Sequence, residues 1–198
     1  KEEGLTGKAL RVIGVGNIGR ELLVLAQPFA MRLLACDPYA TPEALAGLGV
    51  ELVDRGRLLA ESDFVCVCVP LNDETRHMIG AEELRLMKPS AYLVNTSRGS
   101  VVDEPALIEA LRQGTIRGAG LDVFEQEPVD PDNPLLRMEN VVVSPHSLCH
   151  TDEYYTTAWS GKLEQAREIM AGKIPAALVN REVLDREDFQ AKLARIRR

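Results

Sequence analysis

A glycine-rich turn between an apolar run and a helical pattern constrains the fold of this chain more than any other feature. The run 9–14 is short, apolar and partly β-branched, as a buried parallel strand should be. It leads into Gly14-Val15-Gly16-Asn17-Ile18-Gly19, and 18–26 then shows apolar residues at helical spacing. In such a unit the first glycine permits a tight turn, the second lets a pyrophosphate approach the backbone, and the third allows close helix–strand packing. The free N–H groups at the helix N-terminus favour the same phosphates, so the turn predicts a dinucleotide site.

Strand and helix patterns alternate along the chain after this turn. Further strands are predicted at 31–36, 50–53, 63–69, 91–95, 117–123 and 141–144, and helices at 44–48, 57–61, 82–87 and 105–112. This alternation predicts an α/β fold, a Rossmann-type doubly wound parallel sheet with helices on both faces. A long helical pattern over 152–172 follows, and we assign 1–172 to the dinucleotide-binding domain.

Asp37 indicates which dinucleotide the site prefers. It ends the second predicted strand, 18 residues after Gly19. A carboxylate there accepts hydrogen bonds from the ribose hydroxyls and repels a 2′-phosphate, which predicts NAD rather than NADP. The alternative is that Asp37-Pro38 is only a turn.

Three polar residues follow the later predicted strands. Arg98, Glu127 and His146 each come after a strand end, where an open α/β sheet forms its ligand crevice. Arg98 can hold a carboxylate and polarise a neighbouring carbonyl, and His146 can exchange a proton near neutral pH. Glu127, if hydrogen-bonded to the imidazole, favours its charged form. This set fits hydride transfer to a 2-keto acid, although an ion pair, a surface acid and a loop histidine would be ordinary alternatives.

Several motifs occur in an order typical of one family. They are Gly14–Gly19, Asp37-Pro38, Val69-Pro70-Leu71, Asn95-Thr96-Ser97-Arg98-Gly99, Val102-Asp103-Glu104, the stretch from Gly118 through Phe124 to Glu127-Pro128, and Ser144-Pro145-His146. From about 5 to 172 the chain resembles the NAD-binding domain of the D-isomer-specific 2-hydroxyacid dehydrogenases.

The resemblance implies functional residues. Arg98, Glu127 and His146 are implied to be catalytic, and Asp122 to touch the nicotinamide carboxamide. The cofactor-binding residues predicted from the motifs and the resemblance are Gly14, Gly16, Asn17, Ile18, Gly19, Asp37, Val69, Pro70, Thr75, Thr96, Ser97, Arg98, Asp122, His146 and Ser147. The implied substrates are small 2-keto or 2-hydroxy acids of the hydroxypyruvate, glyoxylate or phosphoglycerate class.

The resemblance also bears on domain organisation. The family has a second, substrate-binding domain, built from an N-terminal stretch and a C-terminal return segment. We expect 173–198 to be that return segment, with most of the substrate domain absent from this chain. The enzyme activity is therefore expected of the parent protein and not of this chain alone. The chain starts at Lys1 instead of Met, which predicts processing or a longer parent protein. A homodimer through the NAD-binding domain is also implied.

Other functions fit the sequence less well. A non-enzymatic NAD(H)-sensing regulator, resembling the corepressors of this family, remains an alternative. A methyltransferase would leave Asp37 and the Arg98, Glu127 and His146 set unexplained. Glu127 argues against the formate dehydrogenase branch, which has Gln there. After His146 the chain departs from the common glycine-rich stretch, which leaves the fine shape of the nicotinamide pocket open.

Composition excludes some partners. Thirty acidic against 23 basic residues give a net charge of -7, which disfavours nucleic acid and anionic membranes as partners. The four cysteines do not form a disulfide pattern, so a reducing cytoplasm is expected. Cys66 and Cys68 share one face of an apolar strand and are interpreted as core residues. His146, Cys149 and His150 are close in sequence, yet no metal site is predicted, because no further ligand pair with zinc spacing occurs.

Overall fold

The structure is a computed structural model that describes residues 4–196. It contains two compact units. Unit 1 ends at Ser147 and unit 2 begins at Leu148.

Unit 1 is built on one seven-stranded sheet in which every neighbouring pair of strands is parallel. Its order, β3-β2-β1-β4-β5-β6-β7, is that of a doubly wound sheet and confirms the predicted fold class. The strands are β1 (Ala9–Ile13), β2 (Arg32–Cys36), β3 (Val50–Leu52), β4 (Phe64–Val67), β5 (Tyr92–Asn95), β6 (Gly118–Leu121) and β7 (Val141–Val143).

Helices cover both faces of this sheet. Helix α1 (Asn17–Ala26) packs Leu23 into a cluster with Leu10 and Val12, whereas α2 (Arg55–Glu61), α3 (Ala81–Leu86) and α4 (Glu104–Arg112) contribute to a larger cluster that contains Ile13. Neighbouring residues of β1 enter opposite clusters because side chains alternate across a strand. The two cores therefore hold the sheet from both sides.

The last residues of six strands form a single row across the sheet. Cys36 pairs with Ile13 and Ile13 with Val67, and the row continues through Asn95, Leu121 and Val143. The residues that follow this row all emerge at one edge. The predicted site residues lie just beyond it.

One predicted helix is wrong. Residues 44–48 were expected to be helical, but the structure has a short 3-10 helix at Pro42–Leu45. Thr41 caps it by accepting a hydrogen bond from the N–H of Ala44. The chain then turns through Gly47 and Gly49, both with positive φ, where a right-handed helix cannot continue. The strands predicted at 63–69 and 117–123 are real but shorter than expected.

Unit 2 contains α5 (Asp152–Met170), a 3-10 helix (Arg181–Asp185) and α6 (Glu187–Ile196). Thr151 caps α5 by accepting from the N–H of Tyr154, and none of the α5 residues is buried. Helix α5 thus falls in the compact unit that also contains the C-terminal segment, and the assignment of 1–172 to one domain stays a prediction. The assignment of 173–198 as a return segment stays a prediction, and Arg197 and Arg198 lie outside the described residues. Among residues 4–196, no helix has the length and apolar character needed to cross a bilayer.

The cysteines differ in burial, and this difference predicts which of them a thiol reagent modifies. Burial raises the pKa of Cys66 to about 12 and that of Cys68 to about 11, whereas Cys149 is exposed. Because the thiolate is the nucleophile, we expect iodoacetamide at pH 8 to modify Cys149 and spare Cys66 and Cys68. Peptide mass spectrometry measures this, and labelling in urea should reach all four cysteines. Modification of Cys66 at the rate of Cys149 in the folded protein would contradict the packing described here.

Candidate active site

The glycine-rich turn has the shape of a phosphate cradle. Gly14 has a φ of +90°, and a Cβ there would lie 2.7 Å from the carbonyl oxygen of Cys68. At Gly19 a Cβ would lie 2.0 Å from the carbonyl oxygen of Gly14, so the turn and the helix leave no room for a side chain. Gly16 differs, because a Cβ there would meet no atom within 4 Å. The first and third glycines are needed by the fold itself, while the second leaves open space in front of the start of α1.

Asp37 is fixed at the same turn. Its Oδ2 accepts a hydrogen bond from the N–H of Val15 at 2.7 Å, and its Oδ1 accepts one from the N–H of Tyr39 at 2.8 Å. A carboxylate oxygen can accept more than one hydrogen bond, so both oxygens retain acceptor capacity. The carboxylate therefore lies beside the cradle, as a group that receives ribose hydroxyls must.

A cavity of about 360 Å³ opens at the ends of β4 and β5. Six predicted cofactor-binding residues line it together with Val67, Cys68 and Leu71: Ile18, Val69, Pro70, Thr96, Ser97 and Arg98. The cradle residues and this cavity fit an extended dinucleotide, whose phosphates the N-terminus of α1 can receive.

Thr75, another predicted cofactor-binding residue, has a local role in this structure. Its Oγ1 donates to the carbonyl oxygen of Pro70 at 2.6 Å and accepts from the N–H of Asn72 at 2.9 Å. The hydroxyl therefore shapes the loop that carries Pro70, and Thr75 does not line the cavity described above.

The turn that carries Arg98 is held by Asn95. The Asn95 side chain is buried, and its Nδ2 donates to the carbonyl oxygen of Arg98 at 2.9 Å. Its Oδ1 accepts from both the N–H and the hydroxyl of Ser97. No role for Asn95 is predicted from the sequence, although a polar amide at the end of an apolar strand is a signal of one. Asn95 fixes the backbone from which the exposed guanidinium of Arg98 projects.

Glu127 and His146 form a hydrogen-bonded pair. The Nδ1 of His146 lies 2.7 Å from Oε2 of Glu127, and Oε1 of Glu127 accepts from the N–H of Phe124 at 3.0 Å. With the Nδ1 proton donated to the carboxylate, Nε2 is left as the nitrogen that can face a ligand. Both residues line a cavity of about 500 Å³ together with Phe124, Pro128, Val129 and Pro145.

The electrostatics of Glu127 favour its charged form. Burial is the largest single influence and raises the pKa of this carboxyl, but the hydrogen bonds from His146 and from the N–H of Phe124, together with the charges of His146 and Arg98, lower it. The net effect is a lowered pKa. At neutral pH Glu127 is therefore anionic and faces the imidazole of His146. The positive charge of Arg98 is close enough to help lower the pKa of Glu127.

Asp122 positions the turn that carries His146. Its Oδ1 accepts from the hydroxyl of Ser144 and, at 2.9 Å, from the N–H of Ser147. His146 has a φ of +54°, an uncommon conformation for a residue with a side chain. Asp122 was predicted to touch the nicotinamide, whereas the contacts seen here hold Ser144 and Ser147. The two cavities include neither Asp122 nor Ser147 among their lining residues.

Within residues 4–196, no three His, Cys, Asp or Glu side chains are grouped so that they could hold a metal ion. The candidate site is therefore an arrangement of glycine backbone, carboxylates, one guanidinium and one imidazole.

The glycine turn allows the fold and the binding site to be tested separately. Gly16→Ala adds a methyl group to open space, so we expect an unchanged melting temperature and NADH binding weakened about tenfold or more, a loss of about 1.4 kcal/mol. Gly19→Ala forces a Cβ onto the carbonyl of Gly14, so it should lower the melting temperature. NADH fluorescence titration and thermal unfolding measure the two effects. Equal NADH affinity in Gly16→Ala and wild type would exclude the open space at Gly16 as the phosphate approach.

The lowered pKa of Glu127 predicts a pH-dependent contribution to stability. Because the folded-state pKa is below the ordinary value, this stabilisation is complete above about pH 4.3 and is lost as the pH falls through the folded-state value. We expect Glu127→Gln to lower the melting temperature at pH 7, and the difference from wild type to shrink in acid.

Thermal unfolding between pH 7 and pH 3 provides this measurement, with the exposed Glu139→Gln as a control. A deficit of Glu127→Gln that grew as the pH fell would contradict the electrostatic description of the pair.

Comparisons with known proteins agree with this geometry. The sequence profile of the D-isomer specific 2-hydroxyacid dehydrogenase, NAD binding domain, matches residues 1–147. A glyoxylate reductase of Korarchaeum cryptofilum is 49% identical over 178 residues, which is 90% of this chain and 54% of that protein. A D-3-phosphoglycerate dehydrogenase of Methanocaldococcus jannaschii is 44% identical over 177 residues, which is 89% of this chain and 34% of that protein.

A solved structure resembles the fold closely. It is the NAD-complexed D-isomer specific 2-hydroxyacid dehydrogenase of Lactobacillus delbrueckii ssp. bulgaricus, with a TM-score of 0.80 and 33% identity over 87% of this chain and 56% of that one. The chain thus spans about half the length of the glyoxylate reductase and of this dehydrogenase. The profile match covers most of the chain and includes the cradle, Asp37, the Arg98 turn and the Glu127–His146 pair. The chain belongs to the D-isomer-specific 2-hydroxyacid dehydrogenase family and contains its NAD-binding domain.

Proposed function

We propose that this protein is an NAD-dependent oxidoreductase that transfers a hydride between nicotinamide and C2 of a D-2-hydroxy acid or 2-keto acid. The observation that carries the proposal is the 2.7 Å contact between His146 and Glu127, which places an oriented imidazole beside a cavity at the strand ends. The proposed substrates are of the hydroxypyruvate, glyoxylate or phosphoglycerate class. Names of the relatives support this range, since one is a glyoxylate reductase and another a phosphoglycerate dehydrogenase.

Arg98 is proposed to hold the substrate. Its guanidinium is exposed at the mouth of the cavity that Pro70 and Ser97 also line. A guanidinium binds a carboxylate through two parallel hydrogen bonds and draws electron density from a neighbouring carbonyl. Both effects favour a 2-keto acid in which C2 is ready to accept a hydride.

His146 is proposed to move the proton. When the keto acid is reduced, the carbonyl oxygen needs a proton as C2 receives the hydride, and an imidazolium is a suitable donor near neutral pH. Glu127 holds the ring through Nδ1, so that Nε2 gives up its proton to the new hydroxyl group. In the oxidation direction the same nitrogen accepts the hydroxyl proton.

The cofactor is proposed to lie along the edge formed by the strand ends. Gly14, Gly16, Asn17, Ile18 and Gly19 would hold the pyrophosphate, and Asp37 the ribose. The remaining residues, closer to the reacting groups, are Val69, Pro70, Thr75, Thr96, Ser97, Asp122 and Ser147. NADH supplies the hydride when it is bound. The open space at Gly16 supports this placement.

We also propose a homodimer formed through the NAD-binding domain and a cytoplasmic location. The alternative of an NAD(H)-sensing regulator differs from this proposal in lacking turnover. The relatives described above are a glyoxylate reductase, a phosphoglycerate dehydrogenase and a 2-hydroxyacid dehydrogenase, which supports the enzyme.

Replacement of His146 tests the proposed reaction. The substitution is made in the longer parent protein, which includes the substrate domain. With NADH and a panel of glyoxylate, hydroxypyruvate, pyruvate and phosphohydroxypyruvate, we expect His146→Ala to lower kcat by roughly 10²–10⁴-fold, the usual contribution of a general acid. NADH affinity should change less than about twofold, because the glycine cradle is untouched. NADH absorbance follows turnover, and His150→Ala is the matched histidine control. Unreduced turnover by His146→Ala would refute the assignment, and NADH binding without any turnover by the wild-type protein that includes the substrate domain would favour the regulator.

A further inference from the structure

A second histidine–glutamate pair lies next to the first along the same loop. In Glu125-Gln126-Glu127 both glutamates bind an imidazole: Glu127 that of His146, and Glu125 that of His77. Resting on the proposed function, we propose that His77 and Glu125 form a positioning pair that holds the Arg98 turn and the Glu127 loop in a fixed relation to each other. Neither residue is proposed to touch the substrate.

The contacts of Glu125 are well defined. Its Oε1 lies 2.7 Å from Nε2 of His77 and accepts the N–H of Glu104 at 3.1 Å. The N–H of Glu125 donates in return to Oε2 of Glu104 at 3.0 Å, and Oε1 of Glu104 accepts from Nδ2 of Asn133 at 2.7 Å. The backbone and side chain of Glu125 are therefore both bonded to the start of α4, and His77 adds a third contact from a different segment.

The segment that contains Arg98 lies between these partners. A Cβ at Gly99 would lie 1.9 Å from the carbonyl carbon of Phe124 and 2.4 Å from the nitrogen of Glu125, so the two backbones touch directly. On the other side the N–H of His77 donates to the carbonyl oxygen of Ser100 at 2.8 Å. The His77–Glu125 contact thus joins the two outer segments across the one that bears Arg98.

Further backbone hydrogen bonds join the segment of His77 to the segment that follows Arg98. The N–H of Ile79 donates to the carbonyl oxygen of Val101, and the N–H of Asp103 donates to the carbonyl oxygen of Ile79. Three chain segments, 77–79, 99–103 and 124–125, are therefore bonded into one patch. The first of these segments follows the loop of Pro70, so the patch connects the cofactor cavity with the Glu127 loop.

The conformation of His77 is consistent with a site-building role. Its φ is +52°, which residues with side chains rarely adopt, and the other two such residues among 4–196 are Ala30 and His146. An uncommon conformation persists where surrounding contacts determine it. At His77 these contacts are the backbone bond to Ser100 and the side-chain bond to Glu125.

We expect the His77–Glu125 pair to affect the reaction by setting the distance between the Arg98 guanidinium and the His146 imidazole. Glu127 lies two residues after Glu125 on the same loop and binds His146. Arg98 precedes Gly99, which packs against the backbone of Phe124 from the neighbouring segment. If the loop relaxes, the guanidinium and the imidazole change their separation although each keeps its own nearest partner. Misplacement of reacting groups by about 1 Å can cost on the order of a hundredfold in rate.

Two variants of His77 separate this role from simple stabilisation. Gln carries its amide nitrogen at about the reach of the imidazole Nε2, so His77→Gln keeps a donor for Glu125. Asn tolerates positive φ but is too short to reach, so His77→Asn removes the contact and keeps the backbone conformation. Lys88→Met is the control, because it removes a comparable 3.1 Å ion pair with Asp63 at the other end of the sheet.

The primary readout does not require turnover. The chain has three histidines, so the side-chain NMR signals of His77, His146 and His150 can be assigned by substitution. At fixed pH we expect the His146 signal to shift in His77→Asn, to return to the wild-type position in His77→Gln, and to stay unchanged in Lys88→Met. In kinetic assays kcat should fall about tenfold or more in His77→Asn, with NADH affinity within about twofold of wild type.

The outcomes distinguish this proposal from the proposed function. Absence of turnover in the wild-type protein that includes the substrate domain would refute the proposed function, while the NMR comparison would still decide whether His77 positions the pair. A His146 signal in His77→Asn that coincides with wild type overturns the positioning role, whatever the loss of melting temperature. Equal shifts in His77→Asn and Lys88→Met also overturn it, because the effect would then be general destabilisation.

Discussion

Parallel pairing of the strands is the constraint on which the candidate site depends. The ends of β1, β2 and β4 to β7 lie in one row, from Cys36 through Asn95 to Val143, and the chain leaves each strand at the same edge. Residues that are far apart in sequence, such as Gly16, Arg98 and His146, therefore emerge along one line. Loops placed on this edge have little freedom in their starting points, which is why side-chain contacts such as Glu127 with His146 can be short and specific.

Much of the fold could be predicted because local patterns and tertiary structure agree. The β-branched runs alternate with helical spacing, and the glycine-rich turn stands between a strand pattern and a helix pattern, the context in which it predicts a dinucleotide site. The wrong helix prediction at 44–48 arose where the local sequence pattern and the tertiary structure disagree. Its apolar residues fit a helix, but the two glycines with positive φ at 47 and 49 end any helical turn. Strand ends were also overestimated, because apolar residues continue into loops such as Val69 and Val123, where ladder bonds have stopped.

The candidate site was predictable only in part, because the sequence shows local patterns but not the contacts between distant segments. The predicted strand ends located Arg98, Glu127 and His146 at one edge of the sheet, because parallel sheets gather their carboxyl ends there. Support from Asn95 and from His77 with Glu125 could not be found this way. The contact of His77 with Glu125 joins segments separated by many residues, and only the folded backbone shows that Gly99 and Phe124 touch. The hydrogen bonds of Asp122 and Thr75 to the loops around them were likewise not visible in the sequence, and the assignment of both residues to the cofactor stays a prediction.

The residues proposed to bind the pyrophosphate and ribose and those proposed to act on the substrate follow different strands, and this separation has an evolutionary consequence. The residues proposed to hold the pyrophosphate and the ribose follow β1 and β2, whereas the residues proposed to act on the substrate follow β5, β6 and β7. Substitutions near Asp37 can change the preferred dinucleotide without altering the backbone under Arg98 or His146. Divergence of substrate range and of cofactor preference can therefore proceed on separate strands, which allows one scaffold to give rise to many oxidoreductases.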